Sequence, residues 1–314
     1  MAESEAYRDR TVAGGLRRKA GAYAELVRLP NLFTAPPDVV LGAALLAALG
    51  EPVSPTAVGA LAVASMAPYA GGVTLNDAFD APEDARERPE RPIPSGRVGR
   101  RTAFGLGGAF LAGGVALALS VGTSSALVAA VLAVAIVLYD GLLKDTVAGF
   151  LTMGATRGLN VVLGTTVVAV SLADLPLATI AVPIAVATYI AAVTYMASRE
   201  TEGGNRTAVA VAAAGAILAV AVLAWYLLAL EAGVLEVALS VVLVVAFGWW
   251  IGRPLRAAYL DPVPETVGPA VGACVLGLAI LEGAFAAATG LVWAVAVVAF
   301  VVPATVLSRV FEVT

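Results

Sequence analysis

Ten apolar runs leave this chain almost no way to fold in water. They fall at about residues 32–50, 55–76, 102–121, 124–142, 147–170, 175–197, 207–230, 234–252, 267–289 and 291–308. Each approaches the roughly 20 residues that a helix needs to cross the hydrocarbon core of a bilayer. The fourth and tenth are among the shortest. The runs are rich in Ala, Val, Leu and Gly and lack the two-residue alternation of a membrane β-barrel. With 60% hydrophobic residues, 13% charged residues and a mean hydropathy of +0.91, the expected class is all-α. The expected architecture is a polytopic membrane bundle of nine or ten transmembrane helices, surrounded by membrane lipids.

The links between runs sort by charge. Lys and Arg precede the first run and follow the second, fourth, sixth, eighth and tenth, whereas the odd-numbered runs are followed by Glu51, Asp174 and Glu231 but by no basic residue. Arg157 alone lies inside a run. Because cytoplasmic loops collect Lys and Arg, this pattern predicts a multi-pass protein of the cell membrane with both termini in the cytoplasm. Residues 1–30 are expected to form a cytoplasmic segment, with a basic amphipathic helix over 13–29 lying on the membrane surface. Residues 31–314 are expected to form one transmembrane domain. The first 28 residues are polar and do not read as a signal peptide. The net charge of −4 gives no reason to expect nucleic-acid binding. The chain has no histidine, which excludes Ser-His-Asp triads and histidine metal sites. Its one cysteine, Cys274, lies in an apolar run and reads as a packing residue.

Residues 74–97, TLNDAFDAPEDARERPERPIPSGR, interrupt this apolar background with alternating carboxylates and guanidinium groups. At about 100° per residue, Asp77, Asp80 and Asp84 share one helical face, within roughly 60° of one another. Pro82 is expected to kink or end that helix. Three carboxylates on one face repel unless a cation holds them. Mg²⁺, which takes hard oxygen ligands and shares them with substrate phosphates, suits the set. The competing reading is a solvated loop of mixed charge.

Other polar residues gather on the same side. Tyr139 and Lys144 end the fourth run, with Lys144 either anchoring the helix or touching a phosphate and Tyr139 facing a developing cation. After the sixth run, Glu200 and Glu202 could supply a second set of metal ligands, or could form solvated ion pairs with Arg199 and Arg206. Arg157 in the fifth run needs a partner, either a diphosphate or a buried carboxylate, and Asn160 lies one turn away. Asn31 opens the first run as a cap or as a substrate contact. Asp38 and Glu282 are intramembrane carboxyls that must be neutral, paired or open to a wet cavity.

Several of these motifs together resemble the UbiA-type intramembrane prenyltransferases. The resemblance is carried by Arg28-Leu-Pro-Asn31, Asn76-Asp77-x-x-Asp80-x-x-x-Asp84, Arg91-Pro92-Ile93-Pro94-Ser95-Gly96, Tyr139 with Lys144, and Arg157-Gly158-Leu159-Asn160. It implies a prenyltransferase fold over residues 31–314. It also implies Mg²⁺-dependent transfer of a prenyl group from a polyprenyl diphosphate to a hydrophobic acceptor: aromatic, quinone-precursor or glycerol-phosphate lipid. Asp77, Asp80 and Asp84 would hold one or two Mg²⁺ ions bridged to the diphosphate. Arg157 and Lys144 would contact the diphosphate, and Asn76 would join the shell. Asn31, Asn160, Arg91 and Arg199 complete the expected binding set.

The second acidic stretch departs from the family's Lys-Asp-x-x-Asp-x-Glu-Gly-Asp pattern. Ala197 and Gly204 stand where aspartates are expected, and Glu200 replaces the middle one. Tyr195 to Gly204, Asn31 to Asp38 and the ending Val313-Thr314 are similar to the EboC-like branch. The lost aspartates keep a second function open, a catalytically weakened prenyl-lipid-binding or carrier component of an export system. The Asp-Gly-x-x-Ala-Arg run of CDP-alcohol phosphotransferases is missing, which ranks that chemistry lower.

Overall fold

The computed structural model describes residues 19–170, 172–199 and 205–308. Every one of the ten apolar runs is helical there. A short helix α1 (19–26) leads into a 3₁₀ turn, Leu29–Thr34. Then follow α2 (Pro36–Ala48), α3 (Pro55–Glu87), α4 (Arg100–Leu119), α5 (Thr123–Leu138) and α6 (Val147–Thr165). The second half holds α7 (Leu177–Ser198), α8 (Arg206–Ala229), α9 (Val234–Leu260) and α10 (Pro264–Ala286). The tenth run divides into α11 (Leu291–Val298) and α12 (Val301–Ser308). Eight segments among the described residues are long and apolar enough to cross a membrane. The other two runs are α6, whose hydropathy Arg157 and Asn160 lower, and the divided tenth run. The expected nine or ten spans therefore resolve into eight that qualify by length and composition and two that carry polar or broken segments.

Position in the bundle does not follow from apolarity alone, because lipid as well as protein can cover an apolar face. In α2 every residue from Pro36 to Leu46 is buried, Asp38 among them, which makes it a central helix. By contrast, only 17% of the apolar window of α5, and of α9, is buried. Their outward Leu127, Val131, Val134, Val241, Val242 and Val245 form a surface that only lipid would cover. The largest core cluster joins α2, α7, α8, α9 and α10 around Tyr189, Tyr226, Phe247 and Phe285. Cys274 is fully buried there and its carbonyl accepts the Tyr189 hydroxyl at 2.9 Å, in keeping with a packing role.

Glycine sets the closest approaches. A Cβ on Gly42 of α2 would come within 2.0 Å of the Val161 carbonyl oxygen, and one on Gly164 of α6 within 2.1 Å of that of Val39. On another face of α6, a Cβ on Gly154 would meet the Ala187 oxygen at 2.2 Å and one on Gly158 the Pro183 oxygen at 2.7 Å. Helix α6 is thus clamped between α2 and α7 with backbones touching, the small-residue packing that lipid favours.

One expectation changes. Helix α3 runs past Pro82 to Glu87, with Pro68 and Pro82 both inside it, so Pro82 does not end the aspartate-bearing helix. Helix α1 buries Ala22 and Leu26 against Ala78 and Ala81 of α3, Ile93, Val98 and Ala103. Spaced four apart, these two residues form one stripe, and the protein rather than lipid covers it. Residues 13–18 lie outside the described residues.

Candidate active site

Helices α3, α5 and α6 enclose a cavity of about 310 Å³ at the basic end of the bundle. Arg28, Asn76, Tyr139, Asp140, Lys144 and Arg157 supply its polar lining, and Pro68, Val73, Ile136 and Met153 its apolar wall. A smaller hollow of about 50 Å³ shares Pro68, Tyr69, Ile136, Thr156 and Arg157 with it and extends to Ser65, Leu132 and Asn160. The two form one path from a charged mouth into an apolar interior. Five of the residues expected from the sequence line it: Asn76, Tyr139, Lys144 and Arg157 in the main chamber, with Asn160 in the extension.

The aspartates share the predicted face but not one another. Asp77 takes a hydrogen bond from Arg28 Nη2 at 3.0 Å and lies 3.6 Å from Arg91 Nη1. Arg91 also grips both oxygens of Asp84, at 3.1 and 3.0 Å. Asp80, rotated by about 60° from the line through Asp77 and Asp84, instead pairs with Lys144. Among the described residues no three acidic side chains stand close enough to hold a single ion. Guanidinium and ammonium groups occupy the positions between the carboxylates. Arg91 is therefore part of the buried scaffold behind the cavity rather than part of its lining.

Local backbone features present these groups. Arg28 has a left-handed backbone, φ 48°, uncommon for a non-glycine residue, and its pairing with Asp77 ties that turn to α3. At the end of α5 the chain widens into a π-helical turn, Tyr139–Leu143. Such turns insert one residue and recur at functional sites. Here the turn buries Asp140, whose Oδ1 accepts Asn76 Nδ2 at 3.2 Å, while Oδ2 has no hydrogen-bond partner among the described residues.

Deeper in the bundle, Arg157 lies 2.9 Å from Asp38 Oδ1 and donates to the Thr34 carbonyl at 2.6 Å. Asn160 Nδ2 donates to Asp38 Oδ2 and to the Ala35 carbonyl, both at 2.9 Å. Arg157 thus has the buried carboxylate partner that was one of the two alternatives at the sequence level, and it also lines the cavity. Its Nε has no acceptor among the described residues. Asn31 does not cap α2, whose N-cap is Ala35; it sits inside the 3₁₀ turn and its carbonyl accepts the Thr34 hydroxyl at 2.8 Å. Arg199 ends α7 with its guanidinium 5.8 Å from the centre of the Tyr195 ring, away from the cavity lining. Glu200 and Glu202 lie outside the described residues.

Arg28, Tyr69 and Asp140 belong to the lining without having been singled out. Arg28 and Asp140 were visible in the runs Arg28-Leu-Pro-Asn31 and Tyr139-Asp140-x-x-x-Lys144. Tyr69, in the middle of an apolar run, carries no such signal.

The sequence pattern of the UbiA prenyltransferase family matches residues 39–262. Digeranylgeranylglyceryl phosphate synthase of Ignicoccus hospitalis is 44% identical over 128 residues, which make up 41% of this chain and 41% of that protein. The chain thus aligns with well under two thirds of that relative's length. Among solved structures, the apo structure of a UbiA homolog from Aeropyrum pernix K1 superposes with a TM-score of 0.65 at 21% identity, covering 81% of this chain and 96% of that one. A UbiA homolog from Archaeoglobus fulgidus bound to GPP and Mg²⁺ superposes with a TM-score of 0.62 at 15% identity, over 88% and 99% of the two chains. At those identities the likeness is one of fold.

Proposed function

Because the chain belongs to the UbiA prenyltransferase family, we propose that it transfers a prenyl group from a polyprenyl diphosphate to a lipid-soluble acceptor inside the membrane. The observation that carries this reading is the path itself, cationic at its mouth and apolar within. Arg28, Lys144 and Arg157 supply three cations for a diphosphate, and Arg157 has an uncommitted Nε for a phosphate oxygen. The hydrocarbon chain extends past Ile136 and Leu132. Helix packing around that wall keeps water from a cation forming at the allylic carbon, and the Tyr139 ring at the mouth stabilises it.

A divalent metal fits the oxygen-only donor set. Asp140 Oδ2 is buried with no partner among the described residues, and the Asp80 carboxylate interacts with it across Lys144. Asp80 and Asp140 would hold Mg²⁺ together with oxygens of the diphosphate, while Asp77 and Asp84 stay paired with Arg28 and Arg91 behind the site. The bound ion would neutralise the departing diphosphate. The Archaeoglobus fold neighbour holding GPP and Mg²⁺ supports this reading. When a diphosphate arrives, Lys144 exchanges a carboxylate for a phosphate. The protein is placed in the cell membrane with both termini in the cytoplasm, on the charge pattern of its links.

For the acceptor, the relative's name favours a prenylated glycerol phosphate over an aromatic or quinone precursor. The test is diphosphate release from purified protein given geranylgeranyl or farnesyl diphosphate, with Mg²⁺ or with a chelator. Each is combined with geranylgeranylglyceryl phosphate, an aromatic quinone precursor or a membrane lipid extract. Release that requires both Mg²⁺ and the glycerol phosphate is the expected result. Tight donor binding with no release under any acceptor would instead favour a carrier.

A further inference from the structure

Glu282 on α10 has no exposed surface, and neither of its carboxyl oxygens has a hydrogen-bond partner among the described residues. It faces Asp38 of α2, and Arg157 of α6 lies within electrostatic reach. Asp38 is equally buried. Its Oδ2 accepts Asn160, but its Oδ1, although 2.9 Å from the Arg157 guanidinium, receives no aligned hydrogen bond. One of the two Nη2 hydrogens goes to the Thr34 carbonyl.

Charge counting on these three helices leads to one arrangement. Two carboxylates and one guanidinium would leave a surplus negative charge in a water-free interior, at a cost of several kcal/mol. A single proton removes the surplus. Placed on Glu282, it creates the donor that the cluster lacks, and Asp38 Oδ1 is the acceptor without a partner.

We propose that Glu282 is a positioning residue: carrying a proton, it donates to Asp38 Oδ1 and fixes the carboxylate that holds the Arg157 guanidinium at the cavity wall. The role rests on the proposed contact between Arg157 and the donor diphosphate. Glu282 itself reaches neither the cavity nor the reacting atoms. It acts through Asp38, so its loss shows first in donor affinity.

Two measurements test this on the full chain in detergent or nanodiscs. Infrared difference spectra of wild type and Glu282→Gln should contain the C=O stretch of a protonated carboxylic acid that only the wild type has. Calorimetric titration with farnesyl diphosphate should give Glu282→Gln, which keeps a neutral donor, an affinity within about twofold of wild type. Glu282→Leu, which fills the space without a donor, should bind about tenfold more weakly, the scale of one buried hydrogen bond to a charged group. A wild type without that band, or a band that survives in Glu282→Gln, overturns the proton assignment. With wild-type binding intact, unchanged affinity in Glu282→Leu overturns the positioning role alone. A wild type that binds no prenyl diphosphate overturns the functional reading together with it.

Discussion

Arg91 reaches two carboxylates that lie two helical turns apart, and its side chain is only 9% exposed. Removing a partner from such a buried network leaves charges uncompensated. Arg91→Met should therefore cost about 3–5 kcal/mol, read as a large fall in thermal unfolding temperature. Arg97 offers the contrast. It makes a bidentate pair with Glu25, at 2.6 and 3.0 Å, but its side chain is 41% exposed, and Arg97→Ala should cost no more than about 1 kcal/mol. The same unfolding experiment separates the two arginines, although both belong to one stretch of sequence. Asp80 differs again, since it touches a lining cation rather than the scaffold. Asp80→Asn should lower turnover in Mg²⁺ by about a hundredfold or more while the protein unfolds near the wild-type temperature. A fall in stability comparable to that of Arg91→Met would make Asp80 structural instead.

Among the elements, α6 decides whether the site assembles, because it carries Arg157 and Asn160 on a helix clamped from both sides. Gly164→Ala would drive a methyl group into the Val39 carbonyl. It should destabilise the fold by about 1–3 kcal/mol and weaken prenyl diphosphate binding by moving Arg157 off Asp38. Gly105→Ala on α4, where a Cβ meets nothing within 4 Å, should stay within about 0.5 kcal/mol of wild type. The small residues of α6 were plain in the sequence, as was the length of every helix. Which neighbours those glycines touch was not, since a helical repeat gives a face but not its partner. The same limit applies to the charges. The spacing of Asp77, Asp80 and Asp84 predicted their common face, whereas their partners are Arg28, Arg91 and Lys144, none of them on α3. Asp38 with Arg157 and Asn160 is a contact between helices far apart in the chain, which periodicity cannot reveal. Tyr69 was hidden altogether among apolar neighbours.

At the scale of the whole molecule, the cavity mouth and every basic link should lie on one side of the membrane. Single cysteines placed in a Cys274→Ser background test this. Arg88→Cys and Asp261→Cys should react with a membrane-impermeant thiol reagent only from the cytoplasmic face, and Val53→Cys and Ala232→Cys only from the other. Labelling of all four from one face would contradict the arrangement of spans. The burial of Asp38 also has a consequence for how the protein is made. Helix α2 is among the first to be synthesised, yet Asn160 comes 122 residues later and Glu282 later still. At roughly 5–20 residues per second, the aspartate waits on the order of ten seconds for its cation. Released into lipid during that interval, it would cost up to about 3.5 kcal/mol. The nascent chain therefore has to keep that carboxyl protonated or out of the hydrocarbon until α6 arrives to pair with it.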